Sequence, residues 1–374
     1  MKFVQMSVAL TVSCMPRVQP DSVSEVDYRN PEQNGSDTGG LQDPQDAVYV
    51  STIADDYSMG ALVRVDLTHL KVEEDLTATT GDTVVVTTGE KVVVLNRLNT
   101  DTVRIYQPGE WTHPELEFAL PDLSNPQDAV ICNDQIWISQ HNRDKLTAHS
   151  LTTGMVVGSV DLSPWTGADG FAEATNVFVQ DDAIRIIVQE FNQNDNWSSE
   201  GGAILSVPCQ GGTPSQLEEV GPSPSLVASN HPNIWGVRTG LYGEFDGAIY
   251  IMDGDSIQTP PIITEETVQA DITSAALTTN HLMFITADTD WNYTVRCLEL
   301  STGNIQVAMS TSSFLSDLAI DYQGRAWVAA RSGWSSEAPD PGGLYVFDPD
   351  QCDTALTTEG PIRTTLNPYN ISFL

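Results

Sequence analysis

The chain has 374 residues, of which 40% are hydrophobic and 7% aromatic, enough to build a packed core. It carries 51 acidic residues against 16 basic ones, a net charge of −35, and so acidic a surface repels nucleic-acid phosphates and anionic lipid headgroups. The charge therefore argues against a nucleic-acid partner. There is no run of eighteen apolar residues, so the sequence predicts no membrane-spanning helix. It favours calcium, cationic partners or solubility in salty water.

The first fourteen residues, MKFVQMSVALTVSC, resemble the signal of a bacterial lipoprotein. Lys2 precedes a short apolar run that ends in Ser13 and Cys14. Such signals end in a leucine, two small residues and a cysteine; here Leu10 lies one place early and Thr11 takes its position. The resemblance implies that Cys14 is lipidated and becomes the first residue of the mature protein. The alternative is an ordinary secretory signal.

Residues 15–45 are rich in Pro, Ser, Asp, Gly and Gln and lack apolar periodicity. This composition predicts a disordered acidic tether between the signal segment, residues 1–14, and a folded domain over residues 46–374.

Four cysteines lie in the folded domain, at positions 132, 209, 297 and 352, and no pair has the spacing of a metal site. Cys132 is interpreted as a buried thiol in a strand. An exported protein could form disulfides, but their connectivity cannot be read from the spacing.

From residue 46 onward short β-strands alternate with turns, and no long helical pattern occurs. A polar residue followed by three apolar or small residues recurs seven times, at Asp82, Asp128, Asn176, Ser225, Ser274, Asp317 and Asn370. Each continues into a tight turn, a second strand, a longer loop, a third strand and a more polar fourth strand. About 40 to 50 residues with four antiparallel strands make one propeller blade, so the sequence predicts an all-β, seven-bladed β-propeller.

The first unit, QDAVYVSTIADD, reads as a second strand and has no first strand before it. The C-terminal segment NPYNISFL, residues 367–374, is a strand with no successor. We therefore expect residues 369–374 to pair with residues near 47–52. That pairing would close the ring and remove two free strand edges, which otherwise invite aggregation.

These units, with their D-L-x-T-G-like turns, resemble the YVTN-type seven-bladed propellers of bacterial exported proteins. The segment DLAIDYQGRAWVA, residues 317–329, is similar to the Asp-x-x-Gly-x-x-Trp hairpin of streptogramin-lyase-like and NHL propellers. The resemblance covers residues 46–374. Because these families include scaffolds, receptors and a few enzymes, it implies a fold and not an activity.

In such propellers the first strand lines the central channel, so the seven polar residues are expected around one channel mouth. Oxygen ligands in a ring suit Ca²⁺, and the predicted metal ligands are Asp82, Asp128, Asn176, Asp317 and Asn370. The alternative is that they accept hydrogen bonds from backbone amides of neighbouring blades. A third interpretation is catalytic, with His141 near the ring as a general acid or base.

Long loops between second and third strands should share one face, and they carry aromatic residues among carboxylates and amides. The predicted binding residues are Tyr57, Trp197, Tyr242, Trp291 and Trp334. Exposed aromatics amid polar groups are typical of a recognition surface; the alternative is that they pack down as loop anchors.

The sequence thus favours a non-enzymatic binding or scaffold module, monomeric and exported, that presents an acidic, aromatic-bearing face to a protein or glycan at the cell envelope. It is expected at the outer membrane or cell surface through a lipid anchor, otherwise in the periplasm or secreted. The alternatives are a metal-dependent hydrolase or lyase with Asp82, Asp128 and Asp317 as ligands, and a structural envelope protein.

Overall fold

A computed structural model describes residues 46–374 except 99, 196, 200, 232–233, 333–341, 353 and 358–359. The described residues form thirty strands, one four-residue helix, α1 (Glu265–Val268), and three short 3-10 helices. The predicted all-β class and propeller architecture are confirmed. The predicted signal segment, the tether, Cys14 and Trp334 lie outside the described residues. No helix in the described part of the chain is long and apolar enough to span a membrane.

Four sheets have four strands each, and neighbouring strands run antiparallel. The first contains β1 (Ala47–Ile53), β2 (Gly60–Asp66), β3 (Val72–Thr79) and the C-terminal β30 (Asn367–Phe373). The second contains β4 (Thr83–Thr88), β5 (Lys91–Asn96), β6 (Thr102–Tyr106) and β7 (Leu116–Ala119). The third contains β8 (Pro126–Cys132), β9 (Gln135–Gln140), β10 (Lys145–Ser150) and β11 (Val156–Asp161). The fourth contains β12 (Ala174–Gln180), β13 (Ala183–Val188), β16 (Gly202–Pro208) and β17 (Ser215–Val220), with the small hairpin β14 (Phe191–Asn192) and β15 (Ser198–Ser199) inserted.

The remaining strands form a nine-stranded and a three-stranded sheet. The nine-stranded sheet begins with β18 (Ser225–Ser229), β19 (Ile234–Arg238), β20 (Ala248–Asp253), β21 (Ser256–Ile257) and β22 (Ile263–Thr264). It continues with β23 (Asp271–Leu277), β24 (His281–Ala287), β25 (Tyr293–Glu299) and β26 (Ile305–Thr311). The three-stranded sheet contains β27 (Leu315–Ile320), β28 (Ala326–Ala330) and β29 (Gly343–Phe347).

The structure yields five regular blades, whereas the sequence repeat predicts seven. The strands depart from separate four-stranded sheets in two places. A short parallel pairing of β18 with β23 fuses two predicted units into one sheet, and the last unit has three strands.

The C-terminal strand β30 pairs antiparallel with β1, as the sequence predicts for these two segments. Val48 lies opposite Phe373, and Ser51 lies opposite Asn370. Ile371 is only 5% exposed, so the strand contributes to the core as well as covering the edge of β1.

The core lies between facing sheets, because each sheet is apolar on both sides near its middle strands. β1, β2 and β28 are buried along their whole length, while the fourth strand β11 is mostly exposed. Between the first and last sheets, Val48 and Val63 pack against Trp327 and Val346. Burial of this kind stabilises by roughly 25 cal/mol per Å² of apolar surface.

The Asp-x-x-Gly-x-x-Trp hairpin has a structural role in the turn between β27 and β28. Asp321 is fully buried, and its Oδ2 accepts hydrogen bonds from Trp327 Nε1 at 3.0 Å and Arg325 Nε at 2.6 Å. Gly324 takes a left-handed backbone, with φ of 83°, which glycine adopts without strain. The motif therefore fixes the hairpin and anchors a buried indole.

Two disulfides join Cys132 to Cys209 and Cys297 to Cys352. The interpretation of Cys132 as a buried thiol is therefore wrong: its sulfur is oxidised and bonded to that of Cys209, which follows β16. The bridges span 77 and 55 residues of sequence, and cross-links of that length stabilise by about 4 kcal/mol each in the chain-entropy model.

Candidate functional site

Polar side chains of the inner strands hydrogen-bond to the backbone of the next inner strand. Asp128 Oδ2 accepts from the N–H of Val177 at 3.0 Å, linking β8 to β12. Asn176 Oδ1 accepts from the N–H of Leu226 at 3.0 Å, linking β12 to β18. In both cases the donor is the residue that follows the next polar position of the repeat.

The same contact recurs around the C-terminal strand. Asp317 Oδ2 accepts from the N–H of Ile371 at 2.8 Å and from Asn370 Nδ2 at 3.2 Å. Asn370 Oδ1 in turn accepts from the N–H of Val85 at 2.8 Å. These bonds satisfy amides that would otherwise be buried without a partner.

Asp82 lies apart from this pattern. In this pattern the donor N–H belongs to the residue after the polar position, and Asn370 binds the N–H of Val85. The equivalent position on β4 is therefore Val84, and Asp82 precedes it by two residues. Asp82 instead forms an ion pair with Arg97, whose Nε lies 2.9 Å from Oδ1. Arg97 also donates to the hydroxyl of Tyr369 at 2.9 Å.

Burial dominates the pKa shifts of Asp128 and Asp317. It raises the pKa of Asp128 to about 7 and that of Asp317 to about 6, against the opposing effect of their backbone hydrogen bonds. The contacts match the backbone-capping alternative, because each of these carboxylates already uses both oxygens as acceptors. Calcium binding by the five predicted ligands stays a prediction.

His141, the histidine expected near the ring, follows β9. Its Nδ1 lies 3.1 Å from Asn142 Oδ1, and burial lowers the pKa of its imidazole to about 4. The imidazole is therefore neutral at physiological pH, and its ring lies 6.2 Å from that of Trp197.

A cleft of about 530 Å³ opens on the face where loops between second and third strands meet. Three of the five predicted binding residues line it: Trp197, Tyr242 and Trp291. Tyr57 lies elsewhere, against Arg331, whose guanidinium is 4.9 Å from the centre of its ring and donates to its hydroxyl at 2.6 Å. The structure thus brings together aromatic residues from three successive loops of the chain.

The aromatic rings of the cleft are arranged in two groups. Tyr242 and Trp291 stack with centroids 4.7 Å apart and an interplanar angle of 19°. Trp197 packs edge-on against Phe191 at 6.2 Å. Trp197 and Trp291 both have left-handed backbones, with φ of 61° and 63°. Such a conformation costs a bulky residue about 1–2 kcal/mol, so the surrounding packing must hold both indoles in place.

Two buried carboxyls line the same cleft. Glu265 is 1% exposed, and its two oxygens accept from the N–H groups of Ile272 and Gly247, each at 2.7 Å. Asp271 is 3% exposed; its Oδ1 accepts from the N–H of Gly243 at 2.8 Å, but its Oδ2 has no hydrogen-bond partner. Burial raises the pKa of Glu265 to about 7 and also raises that of Asp271.

Acidic side chains outnumber basic ones in the lining of the cleft. Arg238 lies near both buried carboxyls, but it donates to Ser225 Oγ at 2.9 Å and to the carbonyl of Ile272 at 2.8 Å. With Asp195 and Glu244, the lining contains four carboxyl groups and one guanidinium.

Glu265, Asp271 and Arg238 are site residues that the sequence does not predict. Asp271 lies three positions before the polar residue of its repeat, and Glu265 lies in the irregular connection after β20, outside any blade strand. The unusual length of that connection is the one signal that could have drawn attention to it.

No family model and no curated protein sequence matches the chain. Among solved structures, a candidate 6-phosphogluconolactonase from Bacteroides fragilis superposes with a TM-score of 0.58 and 11% identity, covering 91% of this chain and 100% of that one. The β-propeller domain of the Trilobed protease from Pyrococcus furiosus, described as having an open velcro topology, gives 0.52 and 11%, covering 80% and 91%. Acylaminoacyl peptidase from Pyrococcus horikoshii gives 0.52 and 12%; 81% of this chain aligns with 49% of that one. At these identities the likeness shows the propeller fold alone.

Proposed function

We propose that the protein is a non-enzymatic binding module and that its ligand site is the cleft lined by Trp197, Tyr242 and Trp291. The observation that carries this proposal is Asp271 Oδ2, a buried carboxylate oxygen without a hydrogen-bond partner. Leaving a buried acceptor unpaired costs about 1–3 kcal/mol. A ligand that donates a hydrogen bond to this oxygen recovers that cost.

The charge and the aromatic rings together select an organic cation. Four carboxyl groups line the cleft against one guanidinium, and a positive group that enters it favours the ionised form of the two buried carboxyls. The faces of tyrosine and tryptophan attract cations by about 0.5–2 kcal/mol. A bare Ca²⁺ ion prefers six to eight oxygen ligands, whereas an alkylammonium or guanidinium group uses carboxylate and ring together.

The partner proposed for this cleft is a protein at the cell envelope that presents a lysine or arginine side chain. Such a side chain supplies a charged donor for Asp271 and an aliphatic stem that packs against Trp291 and Tyr242. A neutral glycan stacks on aromatic rings as well, but it gains less from the four carboxyl groups.

The finer architecture is also a proposal: a ring of seven blades closed by β30. Dividing the nine-stranded sheet at the β18–β23 pairing and counting the three-stranded sheet gives seven units. The hydrogen bonds described above link β8 to β12, β12 to β18, β27 to β30 and β30 to β4. Thr88 Oγ1 links β4 to β8 by accepting from the N–H of Ile131 at 2.9 Å, and β23 lies beside β27. This arrangement would fit a YVTN-type or streptogramin-lyase-like propeller acting as a monomer.

Export and lipidation of Cys14 complete the proposal, with the protein at the outer membrane or cell surface, otherwise periplasmic or secreted. The two disulfides support export, because such bonds persist in oxidising compartments.

Expression of the full chain in a bacterial host with a labelled fatty acid tests the lipid anchor at Cys14. Label on the full chain and none on Cys14→Ser is expected; an unlabelled full chain would contradict it.

Calorimetric titration of the protein with two peptides tests the binding proposal. Gly-Lys-Tyr-Gly and its norleucine counterpart have nearly the same shape but differ in one ammonium group. We expect the lysine peptide to bind about tenfold more tightly or better, because a charged hydrogen bond contributes about 1.5–3 kcal/mol. Asp271→Asn should abolish the difference between the peptides.

Asp290→Asn is the matched control, because it removes the same charge from an exposed position in the loop that carries Trp291. It should preserve the preference for lysine. Equal affinities of the two peptides, or a preference unchanged in Asp271→Asn, would overturn the proposal. Tighter binding of maltotriose than of either peptide would assign the cleft to a glycan instead.

A further inference from the structure

A second cluster of reactive side chains lies at the opposite end of β24 from the cleft. His281 begins β24, Cys297 lies on the adjacent β25, and Cys352 follows the 3-10 helix Pro349–Gln351. The strand register places His281 opposite Glu299 and Met283 opposite Cys297. His281 and Cys297 therefore project from the same face of the sheet.

The potential ligand atoms of this cluster lie close together. One ligand atom from each of His281, Cys297 and Cys352 lies within 4.8 Å of the other two. The His281 side chain is 12% exposed, and its Nδ1 lies 3.3 Å from Asp350 Oδ1 but makes no well-aligned hydrogen bond. All four residues line a cavity of about 470 Å³, which gives an ion and its water access from solvent.

In the structure the two cysteines are joined as a disulfide, so neither sulfur is a thiolate. Metal coordination by cysteine requires the thiolate form. The oxidised cluster therefore offers one histidine and one carboxylate, whereas the reduced cluster offers two sulfurs, one nitrogen and one oxygen.

We propose that this cluster is a redox-controlled zinc site: a disulfide when oxidised and a Zn²⁺ centre when reduced. A dithiol reductant transfers two electrons and two protons to the Cys297–Cys352 bond, yielding two thiols and the oxidised, disulfide form of the reductant. Zn²⁺ then displaces the two thiol protons and binds both sulfurs, His281 Nδ1 and a carboxylate oxygen of Asp350. A disulfide oxidant reverses the process: it takes two electrons from the two thiolates and two protons from water, becomes a dithiol, and leaves the Cys297–Cys352 bond re-formed and the ion released.

Ligand chemistry identifies the metal. Two thiolates, an imidazole and one oxygen form the tetrahedral set that Zn²⁺ prefers, and thiolates disfavour Ca²⁺ and Mg²⁺. In both the disulfide and the zinc-bound state Cys352 remains tethered to β25, so the segment after β29 stays attached. This site shares no residue with the cleft and does not depend on the proposed binding function.

Competition between zinc and alkylation tests the proposal on the whole protein. The protein is reduced with a water-soluble phosphine. The phosphine, one water molecule and the disulfide give two thiols and the phosphine oxide. It is then treated with iodoacetamide with and without one equivalent of Zn²⁺, and each cysteine is quantified by peptide mass spectrometry. We expect Zn²⁺ to slow alkylation of Cys297 and Cys352 by about tenfold or more, because the metal occupies the sulfur lone pair that attacks iodoacetamide. Alkylation of Cys132 and Cys209 should not change, and these residues serve as internal controls.

His281→Ala removes one ligand at a partly exposed position and should abolish most of the protection. Asn280→Ala, which alters the neighbouring side chain of the same cavity, should retain it. Equal alkylation of all four cysteines in the presence of Zn²⁺, or full protection in His281→Ala, would overturn the zinc site. Cobalt substitution gives a second readout: thiolate-to-metal charge-transfer absorption should appear after reduction and be absent before it.

Discussion

Asp128 and Asp317 occupy equivalent places on β8 and β27, and burial acts on both in the same direction. Each accepts a hydrogen bond from its own strand and another from the next inner strand. Desolvation nevertheless outweighs these bonds and raises both pKa values. Desolvation therefore sets the direction of the pKa shift at both carboxyls.

The raised pKa of Asp128 gives a signed pH dependence. Its pKa rises from 3.8 when unfolded to about 7 when folded, so the folded state binds more protons between these values. The contribution of Asp128 to stability is complete below about pH 4 and is lost as the pH rises through 7. Measured by thermal unfolding, the stability gap between the native protein and Asp128→Asn should narrow from pH 5 to pH 8 by about 1–2 kcal/mol.

Asp182→Asn is the control for this measurement, because it removes a carboxyl from an exposed hairpin turn. Its stability gap should vary less with pH than that of Asp128→Asn. A gap for Asp128→Asn that widens toward pH 8 would mean that the carboxyl is ionised and stabilised in the folded protein.

At the residue level the repeat pattern aligns Asp128, Asn176, Asp317 and Asn370, because each is a polar residue in an otherwise apolar strand, and all four accept a backbone N–H from the next inner strand. The pattern assigns Asp82 to a position two residues before the equivalent one on β4. The reason is that β4 begins TVVV and has a valine, Val84, where the other strands have a polar residue. The left-handed backbones of Trp197 and Trp291 and the unpaired oxygen of Asp271 arise from packing between loops, and no local pattern encodes them.

Individual strands were more predictable than the sheets they form. The partner of β30 followed from the pattern alone, since the first unit lacked a strand and the last strand lacked a neighbour. The parallel β18–β23 pairing could not be foreseen, because it depends on how closely two inner strands approach. The connection between β20 and β23, with its helix α1, breaks the repeat and carries Glu265 into the cleft.

Removal of residues 367–374 tests the role of β30. The deletion exposes the whole edge of β1 and removes the buried side chains of Tyr369 and Ile371, which are 7% and 5% exposed. It also leaves the N–H of Val85 without its acceptor. We expect a melting temperature at least several degrees lower, and aggregation through the exposed edge.

A synthetic peptide of residues 365–374 provides the control for this deletion. Added in trans, it should bind the open edge and restore part of the lost stability in a concentration-dependent way. A truncated protein that stays monomeric with an unchanged melting temperature would show that β30 is dispensable for the fold.

For the whole molecule, the excess of acidic over basic residues is the dominant electrostatic feature. A net charge of −35 places the folded chain under self-repulsion. Two of the few basic residues, Arg97 and Arg325, already form ion pairs within the fold, with Asp82 and Asp321. Little positive charge is left to balance the surface, and the compact state should therefore be sensitive to salt.

A comparison of NaCl with CaCl₂ distinguishes screening of this repulsion from specific binding of Ca²⁺ at the predicted ring. Raising NaCl from about 0.01 to 0.5 M shortens the Debye length from about 30 Å to less than 8 Å, and it should raise the melting temperature. CaCl₂ at the same ionic strength screens charge to a similar extent, and any specific binding of Ca²⁺ adds to that effect.

The Asp82→Asn, Asp128→Asn and Asp317→Asn triple variant removes the carboxylates of the predicted ring. Because the ring oxygens of Asp128 and Asp317 already accept backbone N–H groups, we expect the extra stabilisation by Ca²⁺ to be the same in the native protein and the variant. An additional effect of Ca²⁺ that the triple variant loses would instead establish the channel mouth as a metal site and justify a screen for hydrolase or lyase activity.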